Sequence, residues 1–389
     1  MKKKTINSSR IPIYRDAGFE LFNADKAALA FTDEAHNPKH DPDFYIYSRY
    51  RNPTVVAAEE EIMKLECCDW ALLTQTGMAA IDVAVSIFQK GKDSEPWLFF
   101  SEIYGGTISF ANSVLKARRG LDIQTFFPEN ERYDLDKFED MVSSLRPAFI
   151  YFEAISNPML IVPDAEQVIN IAHKYGAATI VDNTFATPAL WKPLDSAADI
   201  VIHSATKYLS GHGNLTAGVL CGNNENIMKS ALEYRKFAGH MISPDDAYRL
   251  HTQMQSFSLR FRQQMENAHR LSGLLQKSPC ISKIWYPGIA SHPTHAEAVK
   301  LFRDKGFGAM ITLDFKGETK EHKRIERDRF ISSVSDRIKL IPSLGDSKSS
   351  LLPVESVWGA KYPEPGMIRF SAGIEDYSEL EQVLRSALQ

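Results

Sequence analysis

Cysteine is scarce in this chain: four in 389 residues, at positions 67, 68, 221 and 280. Cys67 and Cys68 are adjacent and the other two stand alone, so the spacing matches no metal-ligand pattern and no disulfide framework. The thiols are expected to be reduced and structural, with a reactive thiol as the alternative, and no metal site is expected. Basic runs are missing too. The formal net charge is −4, and no lysine–arginine stripe interleaved with aromatics is present, which argues against a nucleic-acid partner. No apolar run approaches the length of a membrane span. The opening "MKKK" is followed by "TINSSRIPIY" rather than by the apolar stretch of a secretory signal, so a cytoplasmic location is expected. Internal repeats and low-complexity tracts are absent. So are a Walker A loop and a G-x-G-x-x-G fingerprint, which lowers nucleotide readings.

What is present is an ordinary globular composition, 44% hydrophobic and 24% charged, long enough for a large core and two domains. Residues 1–60 read as irregular, rich in Asn, Asp, Pro and aromatics, as in a long functional arm. Residues 61–245 then alternate. Short apolar runs at 71–74, 97–100, 148–153, 178–182, 199–203 and 218–221 predict buried strands, with helical patterns between several of them. One helix is predicted from Asp164 to Tyr175, with Asp164 as cap, Gln167 three residues on and Gly176 past its end. Continuous apolar strands alternating with helices predict an α/β fold with a mostly parallel sheet covered on both faces. Residues 246–389 form the last part. The pattern is long-helical to about 277, "KSPCISK" reads as a turn, and strands are predicted at 310–315, 338–341 and 367–371. Helices fit near 295–305, 318–332 and 376–388, giving a smaller α/β C-terminal domain.

In open α/β sheets ligands bind at the carboxyl ends of the strands. After "ATIV" stands Asp182, a carboxylate that needs a partner at the end of so apolar a strand; the plain alternative is a turn residue. After "DIVIH" come Ser204, Thr206 and Lys207. If that segment is extended, the two hydroxyls face one way and the lysine the other. Hydroxyls beside an amine suit a ligand with both a phosphate and an electrophilic carbon, as pyridoxal phosphate has; its ring nitrogen pairs with an acid. "TQTGMAAID" supplies a strand, then Thr76, Gly77 and Met78, then a helix whose free N–H groups form an anion site. Tyr104, before two glycines, could lay its ring over a flat cofactor and move a proton. Asn157 follows another strand and could bond a ring oxygen. Arg369 in "MIRFS" is suited to capture a carboxylate, although a lone strand arginine is more often a surface residue.

Taken together, in this order, these segments resemble the Cys/Met-metabolism enzymes that use pyridoxal phosphate: cystathionine γ-synthase, the cystathionine lyases, methionine γ-lyase and the O-acylhomoserine sulfhydrylases. The best carriers are "YSRYRNPT" (47–54), "TGMAAI" (76–81), "YGGT" (104–107), "SNP" (156–158), "VDNTFATP" (181–188), "SATKYLSGHG" (204–213), "PSLGD" (342–346) and "IRFSAGIED" (368–376). The resemblance implies the fold-type I architecture of pyridoxal-phosphate transferases. It implies Lys207 as the lysine that joins the cofactor and later moves protons, Asp182 as the partner of the ring nitrogen, and Tyr104 as the stacked tyrosine. Thr76, Gly77, Met78, Ser204 and Thr206 match phosphate contacts, and Asn157 matches a contact to the cofactor oxygen. Arg369 matches the group that takes the substrate carboxylate, and Ser343 lies in the substrate-side loop. Tyr47 and Arg49 resemble the pair that reaches the phosphate of the neighbouring subunit. That gives the arm a purpose and implies a dimer with shared sites, assembled into a tetramer.

The chain departs from the family pattern in places. Ala154-Ile155 replaces the usual Ser/Thr-Pro, Asn214 stands where an acid is usual, and Ala217-Gly218 replaces Gly-Gly. After "SLGD", Lys348 stands near the place of a glutamate, and residues 346–366 are altered. A lysine there disfavours a substrate whose far end carries an ammonium, such as cystathionine. The expected activity is elimination or replacement at Cγ of a homoserine- or cysteine-derived amino acid, by a lyase or a synthase. O-acetylhomoserine sulfhydrylase and cystathionine β-lyase chemistry stay open. So does a non-catalytic relative used for binding or assembly, and, more remotely, an unrelated α/β enzyme with Lys207 on a phosphate.

Overall fold

The computed structural model describes residues 10–91 and 95–389; the opening "MKKK" lies outside them. Seven strands form the larger sheet: β1 (Trp70–Thr74), β2 (Trp97–Phe100), β3 (Ile123–Phe126), β4 (Phe149–Glu153), β5 (Ala178–Asp182), β6 (Ile200–His203) and β7 (Gly218–Gly222). Their order is β1-β7-β6-β5-β4-β2-β3. The run from β6 to β3 is parallel, while β7 lies antiparallel between β1 and β6. Strands β1, β2, β4, β6 and β7 are buried along their whole length. Helices cover both faces, which is why these strands read as unbroken apolar runs. Asp164 caps the helix Ala165–Lys174, accepting the Gln167 N–H at 3.3 Å, and Val168, Ile169, Ile171 and Ala172 turn into the core.

The second sheet contains β8 (Ile281–Trp285), β9 (Met310–Phe315), β10 (Lys339–Leu340), β11 (Ser350–Pro353) and β12 (Met367–Ser371), in the order β10-β11-β12-β9-β8. It is antiparallel except for the β10–β11 pair. One hydrophobic cluster runs from Trp97 and Phe149 in the large sheet to Ile311 and Phe370 in the small one.

Several sequence expectations change. The arm is not wholly irregular: it holds helices Ala24–His36 and Pro53–Glu66. Asn52 caps the second, Pro53 starts it, and Val55, Ala58 and Ile62 bury one face. Residue 60 therefore falls inside a helix, and so does residue 246, within Pro244–Met254. The stretch after Cys221 is three helices, Glu225–Ala238, Pro244–Met254 and Phe257–Gln276. Gly239, at φ 75°, ends the first in the left-handed region. Strands β3, β8 and β11 were not legible. β8 exposes Ser282 and Lys283, and β3 carries Gln124 and Thr125 half-buried, so neither reads as an apolar run. The predicted 338–341 strand contracts to the two residues of β10.

Candidate active site

The carboxyl ends of β4, β5 and β6 open on one cavity of about 250 Å³. It gathers Thr76, Gly77, Met78, Tyr104, Asn157, Asp182, Ser204, Thr206, Lys207, Ser343 and Arg369. Of the residues singled out in the sequence for cofactor or substrate, only Tyr47 and Arg49 fall outside it.

One end of the cavity is built for an anion. Thr76 caps the helix Gly77–Ser86, its hydroxyl accepting the Ala79 N–H at 3.0 Å. Gly77 and Met78 are in the first turn, where N–H groups have no acceptor within the helix. A Cβ on Gly77 would stand 3.0 Å from the Ser204 side chain, so glycine lets the helix start and the Ser204 turn close together. The segment after His203 is not extended. It turns at once, with the Lys207 N–H on the Ser204 carbonyl at 3.0 Å. Ser204, Thr206 and Lys207 reach one cavity by that turn, not by strand alternation. The Thr206 hydroxyl is also engaged with the backbone of Ala217.

Lys207 Nζ donates to Ser343 Oγ at 2.9 Å. Burial, then the nearby Arg369 charge, pulls its amine down to about 8. Asp182 is buried at 8% exposure but not unpaired. Its Oδ1 accepts from the Thr184 hydroxyl at 2.6 Å and the Thr184 N–H at 3.0 Å, and its Oδ2 accepts from the Tyr151 hydroxyl at 3.1 Å. Burial raises its carboxyl, and the Thr184 donors, His203 and Tyr151 pull it back. Glu153 lies beside Asp182 across β4 and β5 and also lines the cavity. Its carboxyl is held well above the ordinary range by burial and then by the Asp182 charge. Glu153 Oε1 accepts the Tyr104 backbone N–H at 2.5 Å, fixing the start of the short helix Gly105–Phe110. Tyr104 itself is half-exposed at the mouth.

Arg369, on β12, brings the small domain to the same space. Its guanidinium donates to Asn157 Oδ1 at 3.1 Å and to the Ser343 carbonyl at 3.1 Å. The Trp358 ring lies 5.6 Å from it. Burial lowers Arg369 to about 10, still a cation at neutral pH.

Tyr47 and Arg49 are exposed, and Arg49 donates to the Lys236 carbonyl at 2.8 Å. Lys348 is exposed and does not line the cavity of its own chain. Asn214 accepts from Gln253 at 2.9 Å, tying its loop to the helix Pro244–Met254. Sequence reasoning missed Glu153 and Thr184 as site residues. Glu153 ends β4 as Asp182 ends β5, the same signal that picked out Asp182. Thr184 gave the pattern of a side chain folding back onto a carboxylate two residues before it.

Comparison with known proteins is consistent from end to end. Residues 1–389 match the family described as Cys/Met metabolism PLP-dependent enzymes. The chain is 30% identical over 397 residues to a cystathionine beta-lyase of Lactococcus lactis subsp. cremoris, covering 99% of this chain and 95% of that protein. It is 30% identical over 390 residues to an L-methionine gamma-lyase of Porphyromonas gingivalis, covering 97% and 92%. Among solved structures, cystathionine gamma synthase of Xanthomonas oryzae pv. oryzae superposes with a TM-score of 0.84 at 28% identity, covering 97% of this chain and 92% of the other.

Proposed function

The chain belongs to the Cys/Met metabolism PLP-dependent enzymes, and from that premise we propose how its own residues divide the work. It is a pyridoxal-phosphate enzyme of sulfur amino-acid metabolism, a carbon–sulfur lyase or a γ-replacing transferase. The cavity fits that cofactor. A primary amine, a buried carboxylate and a helix start narrowed by Gly77 face one space, matching its carbonyl, ring nitrogen and phosphate. When bound, pyridoxal phosphate supplies an electrophilic carbon for an amine and a ring that withdraws electrons from the substrate's Cα.

The rest falls to the protein. Gly77, Met78, Ser204, Thr206 and Thr76 would hold the phosphate end. Asp182 would pair with the ring nitrogen and favour its protonated form, and Tyr104 would cover the ring. Asn157 would bond the ring oxygen. Lys207, with its amine near 8, is partly neutral at physiological pH. It can be a nucleophile and can then take the proton from the substrate's Cα. Arg369 takes the substrate carboxylate, braced by Asn157 and by Ser343 of the substrate-side loop. Tyr104 gives a proton to the departing sulfur or oxygen. The observation that carries this reading is the convergence of Lys207, Asp182 and Arg369 on one cavity, drawn from β5, from the turn after β6 and from the second domain.

The reaction is placed at Cγ of a homoserine- or cysteine-derived amino acid. Ile155, Phe185 and Leu344 give the cavity an apolar wall suited to a short thioether. One assay decides. O-acetylhomoserine, O-succinylhomoserine, cystathionine, methionine and cysteine are each supplied with and without a thiol acceptor. Oxobutyrate without acceptor supports γ-elimination, and product only with acceptor supports γ-replacement. Pyruvate from cystathionine moves the reaction to Cβ, as the name of the Lactococcus relative has it. No turnover of any of these by the yellow holoprotein leaves binding or assembly as its role.

The proposal extends to the assembly. Tyr47 and Arg49 are exposed and lie outside the cavity of their own chain, and on this proposal they serve a neighbour's. Residues 1–60 act as an arm across a dimer, 61–245 hold the cofactor, and 246–389 close the substrate side, with dimers paired into tetramers. No helix among the described residues is long and apolar enough to cross a membrane, and a cytoplasmic site of action is part of the same proposal.

A further inference from the structure

Glu66 ends the helix Pro53–Glu66, and His203 ends β6. Glu66 Oε1 stands 2.5 Å from His203 Nε2, with side chains 0% and 1% exposed. Neither lines the cavity, and the reaction derived above uses neither. A carboxylate and an imidazole taken this far from water cost free energy that their contact does not by itself recover.

The pair leads to the site by an unbroken path. The residue after His203 is Ser204, whose N–H donates to Thr184 Oγ1 at 2.8 Å. That hydroxyl donates in turn to Asp182 Oδ1 at 2.6 Å, and the Thr184 N–H donates to the same oxygen at 3.0 Å. Thr184 therefore joins the end of β6 to the carboxylate at the end of β5. His203 also acts through space. It is one of the influences that draw the Asp182 carboxyl down against burial. Other titratable groups facing this path include Tyr151 and Glu153 on β4, the Cys221 thiol on β7, and Cys68, which hydrogen-bonds Cys221.

We propose that Glu66 and His203 are positioning residues for Asp182. They fix the end of β6 so that Ser204 and Thr184 keep the carboxylate aimed at the cofactor's ring nitrogen. The inference rests on the role proposed for Asp182. It assigns function to a buried pair that touches neither cofactor nor substrate.

The test uses the full chain, loaded with pyridoxal phosphate. Glu66→Ala removes the pair. Glu66→Gln keeps an oxygen toward His203. Thr184→Val cuts the hydroxyl link and leaves the pair intact. For each variant three quantities are read: cofactor affinity by absorbance titration, the pH profile of the bound cofactor's visible band, and the thermal midpoint of the cofactor-free protein. Glu66→Ala and Thr184→Val should each weaken cofactor binding by roughly tenfold, the scale of one hydrogen bond to a charged group. Both should displace the pH profile in the same direction, and Glu66→Gln should recover most of the affinity. If Glu66→Ala lowers only the thermal midpoint, with affinity and pH profile unchanged, the pair is merely structural and the proposal is overturned. Should Glu66→Ala not fold, His203→Gln is put through the same measurements and judged by the same outcomes. Asp182→Asn is the control. Cofactor retained there defeats the Asp182 role itself; cofactor lost there with the pair variants silent defeats this inference alone.

Discussion

Lys207 Nζ and Ser343 Oγ meet at 2.9 Å, across the boundary between the two sheets. Lys207 follows β6 of the large sheet, and Ser343 lies between β10 and β11 of the small one. The Lys207 amine is thus held by the part of the chain that also carries Arg369.

That arrangement has a readable consequence for pH. In the cofactor-free protein the Lys207 amine loses its proton near 8, against an ordinary 10.5. Competitive labelling with an amine-reactive anhydride, followed by mass spectrometry, should show Lys207 inert below about 8 and reactive above it, while exposed lysines follow near 10.5. The group is a base with a lowered value, so between these limits the unfolded chain holds a proton that the folded chain has released. The Lys207 contribution to the stability of the cofactor-free protein should accordingly rise with pH across that window. Burial is the larger cause and Arg369 the smaller. Arg369→Gln should therefore move the labelling midpoint upward without bringing it to 10.5. A midpoint equal to that of surface lysines would refute the assignment.

Asp182 should show opposite effects on stability and on cofactor binding. Burial raises its carboxyl, so ionising it costs more in the folded cofactor-free protein than in the unfolded chain. The sign is that of an acid with a raised folded value: its contribution is lost as pH rises through that value. Asp182→Asn should then leave the cofactor-free thermal midpoint at pH 7–8 unchanged or higher. On the proposed reading, the same substitution leaves the cofactor's ring nitrogen without its partner. Removing one member of a buried charge pair costs about 3–5 kcal/mol, so cofactor affinity should fall by two orders of magnitude or more, roughly. Differential scanning fluorimetry and absorbance titration read the two effects separately. Loss of both stability and affinity would mark Asp182 as a structural residue.

The arm makes a prediction about pairs of chains. Lys207→Ala removes the amine from its own cavity. Arg49→Ala, on the reading proposed, damages the cavity of the neighbouring chain. Co-refolding the two inactive variants should create hybrid dimers with one site intact, and activity should return to roughly a quarter of the unmodified level for random pairing. If the mixture stays as inactive as its parts, Arg49 does not act across the interface.

The large sheet and most of the site could be read from the sequence because burial on both faces writes an unbroken apolar run, as in "WLFF" and "ATIVD". Strand ends then point to Asp182, Asn157 and the Lys207 turn. The small sheet was harder. Its β8 exposes the consecutive Ser282 and Lys283 beside a register irregularity, so it shows neither an apolar run nor a clean alternation. The helix Pro53–Glu66 was hidden because its apolar face is interrupted by the buried Glu59, which is held by Arg235 at 2.6 Å from a helix far along the chain. Lys348 shows a related limit. Position in an aligned loop does not fix direction, and its side chain is outside the cavity. Long-range partners and loop direction are tertiary facts, and no local pattern encodes them.

Arg369 tests the substrate end of the site. Its guanidinium is already committed on two sides, to Asn157 Oδ1 and to the Ser343 carbonyl, both at 3.1 Å. Those bonds lock the plane of the fork, leaving the remaining donors to meet a carboxylate in a fixed orientation. A lysine keeps the charge but offers a single point of it and cannot hold Asn157 and Ser343 together. Arg369→Lys should therefore lower kcat/KM by about 1.5–3 kcal/mol in transition-state stabilisation, the worth of a hydrogen bond to a charged group. Cofactor affinity should stay near its original value, because on the proposed reading phosphate and ring nitrogen fall to other residues. Steady-state kinetics with the preferred amino acid, beside a cofactor titration, separates these outcomes. An equal loss in both would place Arg369 with the cofactor, and no loss in kcat/KM would remove it from the substrate site.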